Sequence, residues 1–217
     1  MFQQSKLISD LKVATTFEEG VAQIINICNE CRVGYHQGSL HDVLERFYET
    51  AKPYGPDLVV RFTSDCPLVD PGVIDMIIQK AIDNGKDYTS NTIIPTYPDG
   101  IDVEVMKFTA LEKAFKEAKL ESEREHVTSY IWKNSSLKGG QIFSAESIEN
   151  PVDYSDVRLT VDTLADFDVV QKIIDIDGTD KSWETYVSTL KNHPEIKSLN
   201  DMHQRNEGYT KSINKEV

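Results

Sequence analysis

Short β-rich runs alternate with longer stretches of helical periodicity along most of the chain, and this alternation constrains the fold more than any other feature. β-Strands are predicted at residues 11–15, 33–36, 58–62, 87–91, 101–106, 141–145 and 158–161. Between them, apolar residues recur at the spacing of a helix face, for example in the segment 73–81. The β-α-β order predicts an α/β protein, with a mainly parallel, mixed sheet between two layers of helices in a three-layer α/β/α arrangement.

Polar residues mark the expected starts of the helices. Helix caps are predicted at Thr16 with Glu19, at Ser39, at Asp70 before Pro71, at Thr109 with Glu112, and at Thr163 with Asp166. Such side chains accept hydrogen bonds from backbone N–H groups that have no partner within the helix. Residues 122–132 are predicted to form one helix, and a polar helical region begins at Ser182.

The chain is acidic, since 23 Lys and Arg residues face 36 Asp and Glu residues and give a formal net charge of −13. This charge argues against binding to nucleic acid or to anionic membranes. No apolar run approaches the roughly 18 residues of a membrane-spanning helix, and the N-terminus lacks the apolar region of a signal peptide. The three cysteines cannot all pair, which argues against a disulfide scaffold. We therefore expect a cytoplasmic protein.

Two of the predicted strands lead directly to an aspartate. The run LVVRFTSD ends at Asp65, and the run VRLTVD ends at Asp162. In an open α/β sheet, ligands bind beyond the carboxyl ends of the strands, so the two carboxylates meet there if the strands are neighbours. Two carboxylates together with substrate phosphates form a usual Mg²⁺ site. The alternative is that each aspartate only caps the next element, although Thr163 is a better cap than Asp162.

Further acidic residues lie in the run YPDGIDVE, which contains Asp99, Asp102 and Glu104. Asp102 and Glu104 share one face of the predicted strand because side chains alternate along a strand. Such carboxylates can hold sugar hydroxyls or a metal, but a solvated edge is the more common explanation of the pattern. The charged run at residues 123–126 is likewise explained by a solvent-exposed helix face with weak ion pairs.

The cysteines give no signal for catalysis. Cys28 and Cys31 form a C-x-x-C at the end of a predicted helix, where the helix dipole disfavours a thiolate. We interpret them as packing residues. Cys66 follows the candidate aspartate Asp65 but has no evident base partner.

Several motifs, in one order along the chain, resemble the spore-coat polysaccharide biosynthesis protein F family. They are VVRFTSDCPLVDP, SNTIIPTYPDGIDVEVM, SEREHVTSYI, LTVDTLADFDVV and RNEGYTKS. That family is similar to the cytidylyltransferases that activate KDO and sialic acid. The resemblance implies a nucleotide-diphospho-sugar transferase fold, related to glycosyltransferase type A domains. It also implies transfer of a nucleotidyl group, with CTP as the expected donor, to a sugar or sugar acid, with release of pyrophosphate.

The resemblance also implies roles for individual residues. Asp65 in SDCP and Asp162 in VDT match the two catalytic, metal-binding aspartates of the family, in agreement with the Mg²⁺ site expected from the strand ends. The nucleotide is expected to contact Ser39, Asp42 and Asp65. The sugar is expected to face Asp99, Asp102, Glu104, Glu125 and His126.

This sequence differs from the family pattern at its N-terminus. Enzymes of the family begin with a strand and a loop of Gly, Arg and Lys residues that wraps the triphosphate, and this sequence begins after that loop. We therefore expect an N-terminally truncated nucleotidyltransferase domain at residues 1–180, an incomplete sheet, and a helical extension at residues 181–217. We also expect impaired transfer, because phosphoryl transfer depends on positioning and charge neutralisation. An exposed sheet edge is compatible with a homodimer.

Two other functions stay open at this point. A type A glycosyltransferase would use a finished nucleotide sugar, but its usual Asp-x-Asp motif is replaced here by Ser64-Asp65-Cys66. A non-catalytic sugar-binding or assembly protein would keep the fold without the phosphate loop. The sequence does not identify the sugar.

Overall fold

The computed structural model describes residues 2–203, 205 and 207–214. In this part of the chain, six β-strands form two sheets. The strands are β1 (Lys12–Thr15), β2 (Gly34–Gln37), β3 (Leu58–Arg61), β4 (Tyr88–Ser90), β5 (Glu104–Lys107) and β6 (Ala145–Ser147). Asn206 in the motif RNEGYTKS and residues 215–217 of the predicted extension lie outside the described residues.

The strand pairing is mixed. The first sheet pairs β1 with β2 in parallel. The second sheet has the order β3-β5-β4-β6, in which β4 and β6 are parallel and β5 runs antiparallel to both of its neighbours. The predicted α/β class with a mixed sheet is therefore confirmed. The sheets are not mainly parallel as expected, because two of the four strand pairings are antiparallel. No described strand joins the two sheets, so the end strands β1, β2, β3 and β6 each keep one edge without a partner strand in the described part of the chain.

Helices lie between and around these strands. They are α1 (Val21–Glu30), α2 (Val43–Ala51), α3 (Pro71–Asn84), α4 (Phe108–Glu117), α5 (Glu121–Glu125), α6 (Ser129–Lys133), α7 (Leu164–Asp177), α8 (Trp183–Asn192), α9 (Pro194–Lys197) and α10 (Glu207–Asn214). None of the helices in the described residues has the length and apolar character needed to cross a membrane.

Two buried apolar clusters cover the opposite faces of the four-stranded sheet. Val105 on β5 belongs to the cluster under α3, α7 and α8, whereas the next residue, Met106, belongs to the cluster under α2, α4 and α6. Successive residues of a strand point to opposite faces, so the sheet lies between two helical layers. This is the three-layer arrangement that the alternation of strands and helices predicted.

Two of the predicted helix caps are present. The carboxylate of Asp70 accepts hydrogen bonds from the N–H groups of Gly72 (2.7 Å) and Val73 (3.3 Å) at the start of α3. Thr163 and Asp166 form the capping box of α7, in which the Thr163 hydroxyl accepts from the Asp166 N–H. These caps were predictable because each needs only residues that are close in the sequence.

Three other predicted caps are wrong. α1 begins at Val21, after Gly20 in a left-handed conformation with φ 93°, so Thr16 does not cap it. α2 is capped by Asp42, which accepts from the Glu45 N–H (2.9 Å), while the predicted cap Ser39 accepts from the Asp42 N–H instead. α4 follows β5 without a connecting loop, which places Thr109 inside its first turn.

Two predicted elements are also wrong. The single helix expected at residues 122–132 is divided into α5 and α6, because His126 leaves the helical conformation with φ −101° and ψ 49°. The strand expected at residues 158–161 is only an extended segment, which makes one parallel bridge between Arg158 and Asp99.

Candidate active site

A cleft of about 440 Å³ opens beyond the end of β3 and gathers most of the predicted site residues. Of these residues, its lining contains Asp65, Asp99, Asp102, Glu104, His126 and Asp162. Arg61, the last residue of β3, and Thr63, just after the strand, also line it. The cleft therefore lies where ligands bind in open α/β sheets.

The two aspartates predicted to bind a metal lie on adjacent segments. The backbone carbonyl of Asp65 accepts hydrogen bonds from the Val161 N–H (2.8 Å) and from the Thr160 hydroxyl (3.1 Å). The chain after β3 is thus fixed beside the segment that ends at Asp162. Both side chains line the cleft, although the segment before Asp162 is not the strand that was predicted.

Gly100 lets the loop before β5 approach this segment closely. The Asp99 N–H donates to Val157 O (2.9 Å), and the Leu159 N–H donates to Asp99 O (2.7 Å). Gly100 has φ +102°, and a Cβ at this position would lie 2.6 Å from the backbone nitrogen of Thr160. Glycine is therefore required here, and its absence of a side chain places Asp99 beside Arg158.

Arg158 binds three carboxylates at the edge of the cleft. It donates to Asp99 (2.8 Å), to Asp162 (2.6 Å) and to Asp166 through two nitrogens (2.8 and 3.0 Å). The hydrogen bonds to Asp166 raise the pKa of the Arg158 guanidinium. Burial lowers this pKa, while Asp162 and Asp99 raise it further. Burial alone would raise the pKa of Asp166, but the hydrogen bonds from Arg158, Asn200 and Thr163 hold it below its usual range.

Arg158 was not among the predicted site residues. The available signal was a charged residue inside the apolar run VRLTV, since a buried charge needs a partner. The partners could not be read from the sequence, because Asp99 lies 59 positions away.

A buried ion pair forms the floor of the cleft. Glu104 accepts hydrogen bonds from the hydroxyls of Tyr88 (2.5 Å) and Thr128 (2.6 Å) and pairs with the guanidinium of Arg61. Only 6% of Glu104 is exposed, so the solvated-edge explanation of the YPDGIDVE pattern is wrong for this residue. Arg61 also lies over the ring of Phe47, with 5.6 Å between the guanidinium carbon and the ring centroid.

Asp102 and Asp99 lie beside Arg205. Arg205 and α10 together are called the C-terminal segment. Arg205 pairs with Asp102 and lies 3.8 Å from an oxygen of Asp99. Burial raises the pKa of Asp102 to about 7, although the Arg205 charge opposes the shift. Burial also raises the pKa of Asp99, against the charges of Arg205 and Arg158. Asp102 precedes β5, so it does not share a strand face with Glu104 as predicted.

The C-terminal segment forms one wall of the cleft. The Tyr209 ring packs against His126 and Trp132, with ring centroids 5.0 and 5.7 Å apart. Ser212 contacts His126 Nε2 (3.1 Å) and donates to the carboxylate of Glu125 (2.7 Å). The motif RNEGYTKS, for which no role was predicted, therefore holds the residues Glu125 and His126 that were expected to face a sugar.

The predicted nucleotide contacts Ser39 and Asp42 do not line this cleft. Asp42 caps α2 and also accepts from Arg124 Nε (2.9 Å) and Nη2 (2.5 Å). Cys66 lines the cleft but is buried, and burial raises the pKa of its thiol, which disfavours a nucleophilic thiolate.

The donor set of the cleft fits a hard divalent cation. Asp65 and Asp162 supply carboxylate oxygens, and Mg²⁺ is usually held by one or two carboxylates, waters and substrate phosphates. Asp162 is 55% exposed, so its side chain is accessible from the cleft. The described residues contain no cluster of three or more His, Cys, Asp or Glu side chains arranged to hold a metal by themselves.

Comparison with known proteins places these features in a family. The sequence model described as Cytidylyltransferase matches residues 2–210. An uncharacterized protein of Methanocaldococcus jannaschii is 37% identical over 205 residues, which are 91% of this chain and 79% of that protein. The spore coat polysaccharide biosynthesis protein SpsF of Bacillus subtilis is 32% identical over 162 residues, which are 73% of this chain and 65% of SpsF.

A solved structure shows the same fold. The structure of a cytidylyltransferase from Leptospira borgpetersenii serovar Hardjo-bovis matches with a TM-score of 0.83 and 29% sequence identity. The match covers 90% of this chain and 82% of that one.

Proposed function

The chain belongs to the cytidylyltransferase family, and from this membership and the geometry of the cleft we propose that it transfers a cytidylyl group from CTP to a sugar or sugar acid. Pyrophosphate is the second product. The observation that carries the proposal is the convergence of Asp65 and Asp162 in one cleft beyond the end of β3. Family membership supports the classification as a nucleotidyltransferase, and the two carboxylates support the chemistry proposed for it.

In this proposal, Asp65 and Asp162 would hold Mg²⁺ beside the phosphates of the nucleotide. When bound, Mg²⁺ would neutralise the charge that develops on these phosphates during transfer. Asp65 is positioned by the hydrogen bonds of its carbonyl to Val161 and Thr160, and Asp162 is positioned by Arg158. An acceptor hydroxyl would attack in line with the leaving pyrophosphate, so the residues of the cleft act mainly by positioning.

We assign the sugar to the part of the cleft near β5 and the C-terminal segment. Asp99 and Asp102 provide oxygens that accept hydrogen bonds from sugar hydroxyls, and His126 and Glu125 lie at the wall formed by Tyr209 and Ser212. Both oxygens of Glu104 already have partners. Glu104 therefore shapes this end of the cleft mainly by holding Arg61 in place.

We assign the nucleoside to the region around Ser39 and Asp42. The resemblance supports this assignment, although neither side chain lines the described cleft. Asp42 is already occupied by Arg124 and by the N-terminus of α2. Its proposed role is therefore to fix the backbone around Ser39 rather than to bind the nucleotide with its carboxylate.

The biological setting is proposed from a relative. SpsF is named for spore coat polysaccharide biosynthesis, and we propose that the activated sugar made by this chain serves the synthesis of a polysaccharide. We also propose that residues 181–217 are a helical extension of the catalytic domain. Trp183 and Tyr186 on α8 support this, since they belong to the same buried cluster as Ile74 and Ile77 on α3.

A product assay tests the proposal. The chain is incubated with CTP, Mg²⁺ and a panel of neutral sugars and sugar acids, and the released phosphates are identified. Pyrophosphate is expected from wild type, and its release should be abolished in Asp162→Ala without loss of the fold, because Asp162 is exposed. Wild-type turnover by Asp162→Ala would contradict the mechanism.

The same assay separates the alternative functions. A glycosyltransferase given a nucleotide sugar would release a nucleoside monophosphate or diphosphate. A binding protein would take up ligand without turnover.

A further inference from the structure

The guanidinium of Arg158 lies between two carboxylates that are fixed and one that is accessible. Its side chain is 10% exposed, whereas the side chains of Asp99, Asp162 and Asp166 are 11%, 55% and 0% exposed. The accessible carboxylate is therefore Asp162, the candidate metal ligand. The two buried partners, Asp99 and Asp166, hold Arg158 in one place.

Asp166 is the rigid part of this arrangement. Besides Arg158, it accepts hydrogen bonds from the Asp162 N–H (3.1 Å), the Thr163 N–H (3.0 Å) and Asn200 Nδ2 (2.9 Å). It thus fixes the backbone of Asp162 and the guanidinium of Arg158 at the same time. Asp99 is held as firmly, through its backbone hydrogen bonds to Val157 and Leu159.

The contact to Asp162 uses only one of its two oxygens. Arg158 Nη2 donates to Asp162 Oδ2 (2.6 Å), and Oδ1 makes no hydrogen bond with the residues that the structure describes. A carboxylate that is held by one oxygen keeps a fixed orientation and presents the other oxygen to a cation. Partners behind a ligand commonly set metal affinity in this way.

We propose that Arg158 is the positioning residue of the cation site, which holds Asp162 by Oδ2 so that Oδ1 meets the cation shared with Asp65. This inference rests on the cation site proposed above. It differs from the view that Arg158 is only a neighbouring positive charge. A positioning residue strengthens cation binding, whereas a competing positive charge weakens it, so the two views predict opposite effects when the charge is removed.

The test uses Mn²⁺ as a probe for the site, without nucleotide. Binding is measured from the electron paramagnetic resonance signal of free Mn²⁺ for wild type, Arg158→Lys, Arg158→Gln and Asp162→Asn. Lysine keeps the charge but cannot hold three carboxylates with a planar fork of donors, and glutamine removes the charge. Arg124→Lys is the matched control, because Arg124 also binds a carboxylate with two nitrogens but lies outside the cleft lining.

We expect both Arg158 variants to bind Mn²⁺ about 10- to 100-fold more weakly than wild type. Arg124→Lys should match wild type, and Asp162→Asn should show the weakest binding. Thermal unfolding without metal is measured beside each titration, since a purely structural role would lower the melting temperature without changing the affinity of the folded protein. If Arg158→Gln does not fold, Arg158→Lys decides the question.

Three results would overturn the inference. Wild-type affinity in Arg158→Lys would show that the orientation of Asp162 does not depend on Arg158. Tighter binding by Arg158→Gln would show that Arg158 only competes with the cation. Equal behaviour of wild type and Asp162→Asn would remove the cation site itself, and with it the metal-dependent part of the proposed function.

Discussion

Replacing Glu104 with glutamine should destabilise the protein strongly, although the two side chains have nearly the same shape. Glu104 is buried and pairs with Arg61, whose side chain is only 19% exposed. Glutamine still accepts hydrogen bonds from Tyr88 and Thr128, but it leaves the guanidinium without the carboxylate that it pairs with. Breaking a buried ion pair from one side costs about 3–5 kcal/mol, and the partial exposure of Arg61 places the expected loss at the lower end, about 3 kcal/mol.

Urea unfolding at pH 7 measures this loss. Glu112→Gln is the matched control, because Glu112 also accepts from a tyrosine hydroxyl and pairs with a basic residue, but its side chain is 37% exposed. Its loss should be much smaller, since exposed ion pairs contribute little. Adding Arg61→Met to Glu104→Gln should restore part of the stability, because no unpaired charge remains. A loss in Glu104→Gln no larger than that of the control would refute this account of the cleft floor.

Three further perturbations have defined outcomes. Gly100→Ala should lower the free energy of unfolding by about 2–5 kcal/mol, because residue 100 has a positive φ and an added Cβ would collide with Thr160. A thermal melt like that of wild type would contradict the close approach. Asp70→Ala should lower the free energy of unfolding by about 2–4 kcal/mol in chemical denaturation. It removes the cap of α3 and also the acceptor for the buried backbone N–H of Trp183 (3.0 Å). A loss no larger than that of an exposed cap would argue against this second contact. The carboxyl of Asp102 should titrate by carbon NMR with a midpoint of about 7. Since this pKa is raised in the folded state, the contribution of Asp102 to stability is complete below its unfolded pKa and is lost as the pH rises through about 7. Asp102→Asn should flatten this part of the pH–stability curve, and an unchanged slope would show that Asp102 is not responsible.

The sequence predicted features of the fold that depend on near neighbours. Asp70 with Pro71, and Thr163 with Asp166, specify helix starts within a few residues, and both are present. Thr16 with Glu19 has the same local pattern, but Gln37 donates to Thr16 O (2.9 Å) and α1 starts only after Gly20. A contact between residues 21 positions apart is invisible to a local pattern, so this helix start was predicted wrongly.

The same limit applies to the candidate site. Asp65 and Asp162 were found because each follows a recognisable apolar run, and the carboxyl ends of strands meet in α/β sheets. Arg158 and Arg205 were missed because their partners Asp99 and Asp102 lie 59 and 103 positions away. The resemblance supplied the family, which composition and periodicity did not indicate. Glu104 shows that an alternating pattern does not reveal burial, because its face of β5 is covered by Tyr88 and Thr128.

Asp65 and Asp162 are proposed to form a cation-dependent nucleotide site. Titration calorimetry of the chain with CTP, with and without Mg²⁺, tests this proposal most directly, with Asp162→Asn as the variant. We expect wild type to bind CTP only with Mg²⁺. This binding should be lost in Asp162→Asn, which should stay folded because Asp162 is exposed. CTP binding that is unchanged by Mg²⁺ or by Asp162→Asn, or no binding by the folded wild-type chain, would contradict the proposal.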